Sequence, residues 1–210
     1  MIPVPQYPLY SATMALYGGR AGDYDRGETR QWQLSEEALT DAYTRARREG
    51  VTPAALVVIN PGNPTGAVLT PETIRMVVGF ARRHGLAIMA DEVYQENVYA
   101  SDRTFLSFAK ALHELGEREV SLFSFHSVSK GFFGECGHRG GYAEMRNVPA
   151  DVVVELAKLQ SIGLCANVPG QLATYVMVAP PQPGEASHAL YAAERDAILR
   201  GLKAKAELLD

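Results

Sequence analysis

The chain has 210 residues, 47% hydrophobic and 21% charged, with a formal net charge of −4, the composition of a soluble globular α/β-sized chain. Acidic and basic residues are interspersed, so the basic face that nucleic acid or an anionic membrane requires is missing, and neither is expected as a partner. No apolar run is long enough to span a bilayer, and "MIPVPQYPLY" has neither the basic nor the apolar region of a secretory signal.

In chain order, the first clear element is a helix over residues 35–49. Ser35 can cap it, Glu36 and Glu37 suit its first turn, Arg45, Arg47 and Arg48 suit its last, and Gly50 ends it. "AALVVIN" reads as a strand buried on both faces. A helix opened by Thr70 and Pro71 follows, with Ile74, Val77, Val78 and Ala81 on one side. "LAIMAD" is a second strand, "TFLSFAKALHEL" a helix, "VSLFSF" a third strand ending at Phe125, and "RGGYAEM" a fourth. Beyond Pro149 the pattern is helical, over about 150–162, 169–178 and 185–208. Alternation of strands and helices predicts an α/β fold: a three-layer sandwich around a mainly parallel sheet.

Ligands of such sheets bind beyond the carboxyl ends of the strands. Three predicted strand ends carry "NPGNPTG" (60–66), then Asp91, Glu92 and Tyr94, then Ser127, Ser129 and Lys130. An amide, a carboxylate with a phenol, and hydroxyls with an amine therefore converge. A lysine at a largely dry site can lose its proton and attack a carbonyl. If the carbonyl is the aldehyde of pyridoxal 5′-phosphate, one cofactor accounts for the whole set. Asp91 would partner the ring nitrogen, Asn63 and Tyr94 the phenolate oxygen, and Ser127, Ser129 and Arg139 the phosphate. Each feature has a plainer reading by itself: Lys130 a surface lysine, Asp91 a strand-end cap, "NPGNPTG" a turn. Their convergence favours the cofactor.

"PQYPLY", "NPGNPTG", "ADEVYQENVY" and "SFHSVSKGFFGECGHRGG" together resemble the fold-type-I pyridoxal-phosphate aminotransferases of class I/II, in order and spacing over nearly the whole chain. The resemblance implies Lys130 as the Schiff-base lysine and proton shuttle, and Tyr7 as the ring that stacks on the cofactor. It gives Asp91, Asn63, Tyr94, Ser127 and Arg139 the contacts named above, with Ser129 secondary. One departure stands out: the phosphate arginine usually follows the lysine by eight residues, whereas Arg139 follows Lys130 by nine. A one-residue insertion around "GFFGEC" absorbs this and points to the alanine-aminotransferase branch. His138 is the alternative phosphate ligand, and "RGG" favours Arg139.

The resemblance further implies transamination from L-alanine to 2-oxoglutarate, amino-acid and 2-oxo-acid substrates, and a homodimer. Residues 1–184 would be part of the cofactor-binding large domain, and 185–210 the start of a helix leading to a small domain absent from this chain. A central fragment of that kind is expected to be inactive alone. Rivals are another fold-type-I enzyme, either a related aminotransferase or a lyase, and a catalytically dead truncated binding module. Cytoplasm or mitochondrial matrix both fit. Cys136 and Cys165 lack metal-ligand or disulfide spacing and read as buried apolar fillers. The five histidines are scattered, so no metal is expected. Glu92 and Trp32 read as structural, and Tyr10 as helix or core.

Overall fold

The computed structural model describes residues 1–28 and 31–209. Its central sheet has four strands in the order β3 (Ala55–Ile59), β4 (Ala87–Asp91), β5 (Leu122–Ser127) and β6 (Gly141–Arg146). The first three are parallel, with Ile59 beside Asp91 and Asp91 beside Phe125; β6 returns antiparallel, with Ser127 opposite Gly141. A short parallel pair, β1 (Ile2–Val4) and β2 (Asp23–Asp25), flanks β3, where the Tyr24 hydroxyl donates to the Val57 carbonyl at 2.7 Å.

Helices α2 (Glu36–Arg48), α3 (Pro71–His84) and α4 (Phe108–Leu115) cover one face of the sheet. Each begins at a hydroxyl side chain that accepts from a first-turn amide: Ser35 from Ala38, Thr70 from Thr73, and Ser107 from Lys110. Gly85 and Gly116 end α3 and α4 in the left-handed conformation, which costs a residue without Cβ little. Leu39, Val77, Phe80, Phe108 and Leu112 bury against Leu56, Val58, Ile88 and Leu122. Each large side chain buried in this way contributes roughly 1.5–3 kcal/mol. Alternate strand residues Val57, Ile59 and Met89 face the other side, where Ile2 and Tyr10 of α1 (Leu9–Leu16) pack on them. The last three helices, α5 (Ala150–Ser161), α6 (Val168–Val178) and α7 (His188–Glu207), bury only Gly170 among their described residues.

The architecture is therefore α/β with a mostly parallel sheet. Four details differ from the sequence expectations. Helix α4 starts at Phe108 rather than Thr104, because the Ser107 side chain caps it and a Glu92 carboxylate oxygen takes the Phe108 amide at 2.8 Å. Strand β5 runs two residues past Phe125, because His126 and Ser127 pair with Tyr142 and Gly141. Strands β1 and β2 were not anticipated, each being three residues long and set among turn residues, and α1 only through the helix-or-core reading of Tyr10. Both cysteines are exposed rather than buried fillers, since Cys136 opens a surface 3-10 turn and Cys165 sits in the bend between α5 and α6.

Candidate functional site

The parallel strands β3, β4 and β5 end side by side, so the segments that leave them share one edge of the sheet. Beyond β3, Asn60 is fully buried, and its Oδ1 accepts from the Leu69 amide at 2.9 Å. The loop between closes on itself, with the Gly62 amide donating to the Ala67 carbonyl at 2.9 Å. This fixed loop presents Asn63, whose Nδ2 donates to the Tyr94 hydroxyl at 3.2 Å.

Tyr94 belongs to a run of tight turns that follows β4: the Gln95 amide donates to the Glu92 carbonyl, and the Asn97 amide to the Tyr94 carbonyl. Lys130 comes from the turn after β5, and its Nζ stands 5.6 Å from the centre of the Tyr94 ring. A cation at that distance is attracted to the ring face. Asn63, Tyr94 and Lys130, distant in sequence, thus form one contiguous chain of contacts. Lys130 is exposed rather than dry, standing in the turn beyond the end of β5.

Asp91 ends β4 half-buried. Its Oδ2 accepts from the Tyr10 hydroxyl at 2.7 Å and its Oδ1 from the Val93 amide at 3.4 Å. Burial first, and then the Asp91 charge, push the Tyr10 phenol far above its ordinary range, so Tyr10 acts there as a fixed neutral donor. Tyr10, expected from the sequence only in helix or core, thereby joins the candidate site. Its one sequence signal is its position in the "YPLY" turn that opens α1.

Next to Asp91, Glu92 points to the opposite face and is buried; Ser124 Oγ donates to its Oε2 at 2.5 Å. Desolvation pushes its carboxyl up to about 6, against the opposing pull of the Ser124 and Phe108 hydrogen bonds. Its role is to join β4, β5 and the start of α4, in keeping with a structural reading. His126, also buried, has its Nδ1 unpartnered among the described residues and lies edge-on to Tyr142, and burial lowers its pKa.

The remaining candidates are less gathered. Ser127 Oγ accepts from the Ser129 amide at 3.3 Å, which shapes the turn before Lys130. Arg139 is exposed and left-handed (φ 53°), turning the chain from the 3-10 turn Cys136–His138 into β6; its Nη1 donates to the Cys136 carbonyl at 2.9 Å. Neither serine side chain is bonded to it among the described residues. His138 is equally exposed and lies 3.7 Å from Glu135. Tyr7 is 46% exposed, just ahead of α1. A cavity of about 920 Å³ lies elsewhere, between α1, α2 and the β1–β3 edge, and of these candidates it touches only Tyr10. No group of three or more His, Cys, Asp or Glu is arranged to hold a metal ion, and no helix is long and apolar enough to cross a membrane, among the described residues.

The mostly parallel sheet thus gathers an amide, a phenol, a carboxylate and a lysine at the strand ends, where ligands of open α/β folds bind. Residues 1–209 match the family model for aminotransferase class I and II, and the chain belongs to that family. Its relatives include alanine aminotransferase 2, mitochondrial, of Arabidopsis thaliana, 48% identical over 99% of this chain and 39% of the relative. A probable mitochondrial alanine aminotransferase of Dictyostelium discoideum is 50% identical, over all of this chain and 40% of the relative. Glutamate–glyoxylate aminotransferase 1 of Arabidopsis thaliana is 46% identical, over all of this chain and 44% of the relative. Among solved structures, an alanine aminotransferase from Pyrococcus furiosus superposes with a TM-score of 0.76 at 23% identity, over 99% of this chain and 48% of that one, which shows the shared fold. The chain spans about two fifths of the length of these curated relatives.

Proposed function

We propose that the whole protein carrying this chain is a pyridoxal-5′-phosphate-dependent aminotransferase that moves the amino group of L-alanine to 2-oxoglutarate. The observation that carries this reading is the Asn63–Tyr94–Lys130 chain of contacts, set beside Asp91 at adjoining strand ends. The donor set suits the cofactor on chemical grounds. It offers a carboxylate for a pyridinium nitrogen, an amide and a phenol for a phenolate oxygen, and a primary amine for an aldehyde.

When bound, pyridoxal phosphate supplies an electron sink for the charge left as the substrate's Cα–H bond breaks. Lys130 Nζ would hold the cofactor by its aldehyde and, as a free amine, would accept the proton from the substrate's Cα. Asp91 would keep the ring nitrogen protonated through its charge, and Tyr10 fixes the direction in which that carboxylate points. Asn63 Nδ2 and the Tyr94 hydroxyl would orient the ring by donating to its phenolate oxygen. Tyr7 would stack on the ring, and Ser127, Ser129 and Arg139 would hold the phosphate, with Arg139 giving up its bond to the Cys136 carbonyl or sharing its other nitrogens. Residues 1–184 would lie within the cofactor-binding domain and 185–210 would lead toward a second one. The whole protein would work as a homodimer, in cytoplasm or mitochondrial matrix.

The test is made on the purified whole protein supplied with pyridoxal phosphate. A visible absorbance band that disappears in Lys130→Ala, together with turnover of L-alanine and 2-oxoglutarate, is the expected result. A well-folded protein with no such band overturns the reading. A panel of amino donors and 2-oxo acids separates alanine specificity from that named for the glutamate–glyoxylate relative.

A further inference from the structure

We infer that Asn97 is a positioning residue for Lys130, acting through the backbone of Gly131; the inference rests on the function proposed above. Asn97 lies 33 residues before Lys130 in the chain, yet its side chain closes on the peptide that follows the lysine. Its Oδ1 accepts from the Gly131 amide at 3.1 Å, and its Nδ2 reaches the Gly131 carbonyl at 3.4 Å and the Tyr99 hydroxyl at 2.8 Å. A single primary amide thus satisfies both polar groups of one residue, as a neighbouring strand would.

The geometry of the turn explains why such a brace is needed. Strand β5 stops at Ser127, and beyond it the ladder no longer holds the backbone. Val128 is fully buried and exchanges bonds on both sides, its amide with the Gly140 carbonyl and its carbonyl with the Glu135 amide. Lys130 therefore leaves a fixed point two residues behind it, and Asn97 supplies the fixed point one residue ahead. Gly131 is in the left-handed conformation (φ +66°), and a Cβ there would stand 2.9 Å from Glu96 Oε2. The close approach of residues 96–97 is thus built into the choice of glycine.

The brace also sets the lysine relative to the group it faces. The Asn97 amide donates to the Tyr94 carbonyl at 2.8 Å, so Tyr94 and Asn97 belong to one tight turn. The ring that Lys130 Nζ approaches and the amide that grips the lysine's turn consequently move together. From the other side, Arg195 of α7 pairs with Glu96 at 3.2 Å and stands over the Phe132 ring at 5.3 Å. Both ends of the contact are therefore anchored to further structure. Misplacing a reacting group by about 1 Å can cost roughly 100-fold in rate, so a brace of this kind has measurable consequences.

The experiment compares the whole protein with Asn97→Ala, Asn97→Asp and Lys130→Ala. Apoprotein is mixed with pyridoxal phosphate, quenched with borohydride at set times, and the reduced adduct on Lys130 is quantified by mass spectrometry. Asn97→Ala is expected to slow covalent capture roughly tenfold, and to lower kcat similarly while the KM for the amino acid holds within about threefold. Asn97→Asp keeps the acceptor for the Gly131 amide and is expected to fall between. If Asn97→Ala is not recovered folded, Asn97→Asp decides alone: slowed capture at an unchanged thermal midpoint supports the inference. Capture at the parent rate in whichever variant is folded overturns it. Failure of the parent protein itself to form the Lys130 adduct would instead sink the cofactor reading, which keeps the two outcomes apart.

Discussion

The Tyr10 hydroxyl donates to Asp91 Oδ2 at 2.7 Å, joining the first helix of the chain to a carboxylate 81 residues later. Two side chains from separate layers meet there, and each limits the freedom of the other. The phenol is half-buried and held neutral, while the carboxylate keeps Oδ1 for the Val93 amide. Its direction is therefore set by structure before any ligand arrives.

Tyr10→Phe removes this donor and leaves the ring's packing on Ile2, Val57, Ile59 and Met89 in place. The expected result is weaker retention of pyridoxal phosphate by the whole protein, by about tenfold or ~1.4 kcal/mol, with the thermal midpoint of the apoprotein little changed. Fluorescence titration of apoprotein with the cofactor measures it. Retention equal to that of the parent would remove Tyr10 from the site.

Glu92 gives a pH prediction. Its carboxyl is raised from 4.5 to about 6 when folded, so the folded state holds its proton more tightly than the unfolded chain. The stabilisation this provides is complete below pH 4.5 and is lost as pH rises through about 6, a change of ~2 kcal/mol. Glu92→Gln cannot titrate and can keep partners for the Phe108 amide and Ser124 Oγ. Relative to the parent, it should gain about that much stability between pH 4 and pH 7. Denaturant melts at the two pH values read the difference, and an unchanged gap between variant and parent would refute it.

Gly131 and Gly134 separate two costs of adding a methyl group. Both are left-handed, at φ +66° and +63°, but a Cβ on Gly131 meets Glu96 Oε2 at 2.9 Å, whereas one on Gly134 meets nothing within 4 Å. Gly134→Ala should lower stability by about 1 kcal/mol, from backbone strain alone. Gly131→Ala should cost more, up to about 3 kcal/mol, and should also slow covalent capture at Lys130. Equal thermal shifts in the two variants would mean that Glu96 simply swings away.

The legible parts of the sequence were those governed by neighbours along the chain. Ser35, Thr70 and Pro71 announce helix starts because a cap needs only a side chain within reach of its own first turn. The apolar runs at β3, β4 and β5 announce strands because both sheet faces are covered, or nearly so. The last three helices were also visible, though nothing in their pattern says that they bury so little within this chain. Misread boundaries reflect contacts from afar, although at α4 the local Ser107 cap acts as well. Helix α4 is trimmed by a contact from Glu92, and β5 is lengthened by pairing with β6, both of them long-range effects.

The same division runs through the site. By itself the sequence determined which chemical groups stand at the three strand ends, because each strand and the polar residues after it follow from local pattern. Asn63, Asp91, Tyr94 and Lys130 are identified that way. Only the tertiary structure decided which of them touch: that Asn63 meets Tyr94, that Lys130 faces the Tyr94 ring from an exposed position, and that Arg139 turns back on its own loop. It also brought in Tyr10 and Asn97, which lie inside the quoted "PQYPLY" and "ADEVYQENVY" segments but whose partners those segments do not reveal. Their contacts span 81 and 34 residues, and a hydrogen bond across such a separation is set by how layers and turns pack, which no local rule encodes.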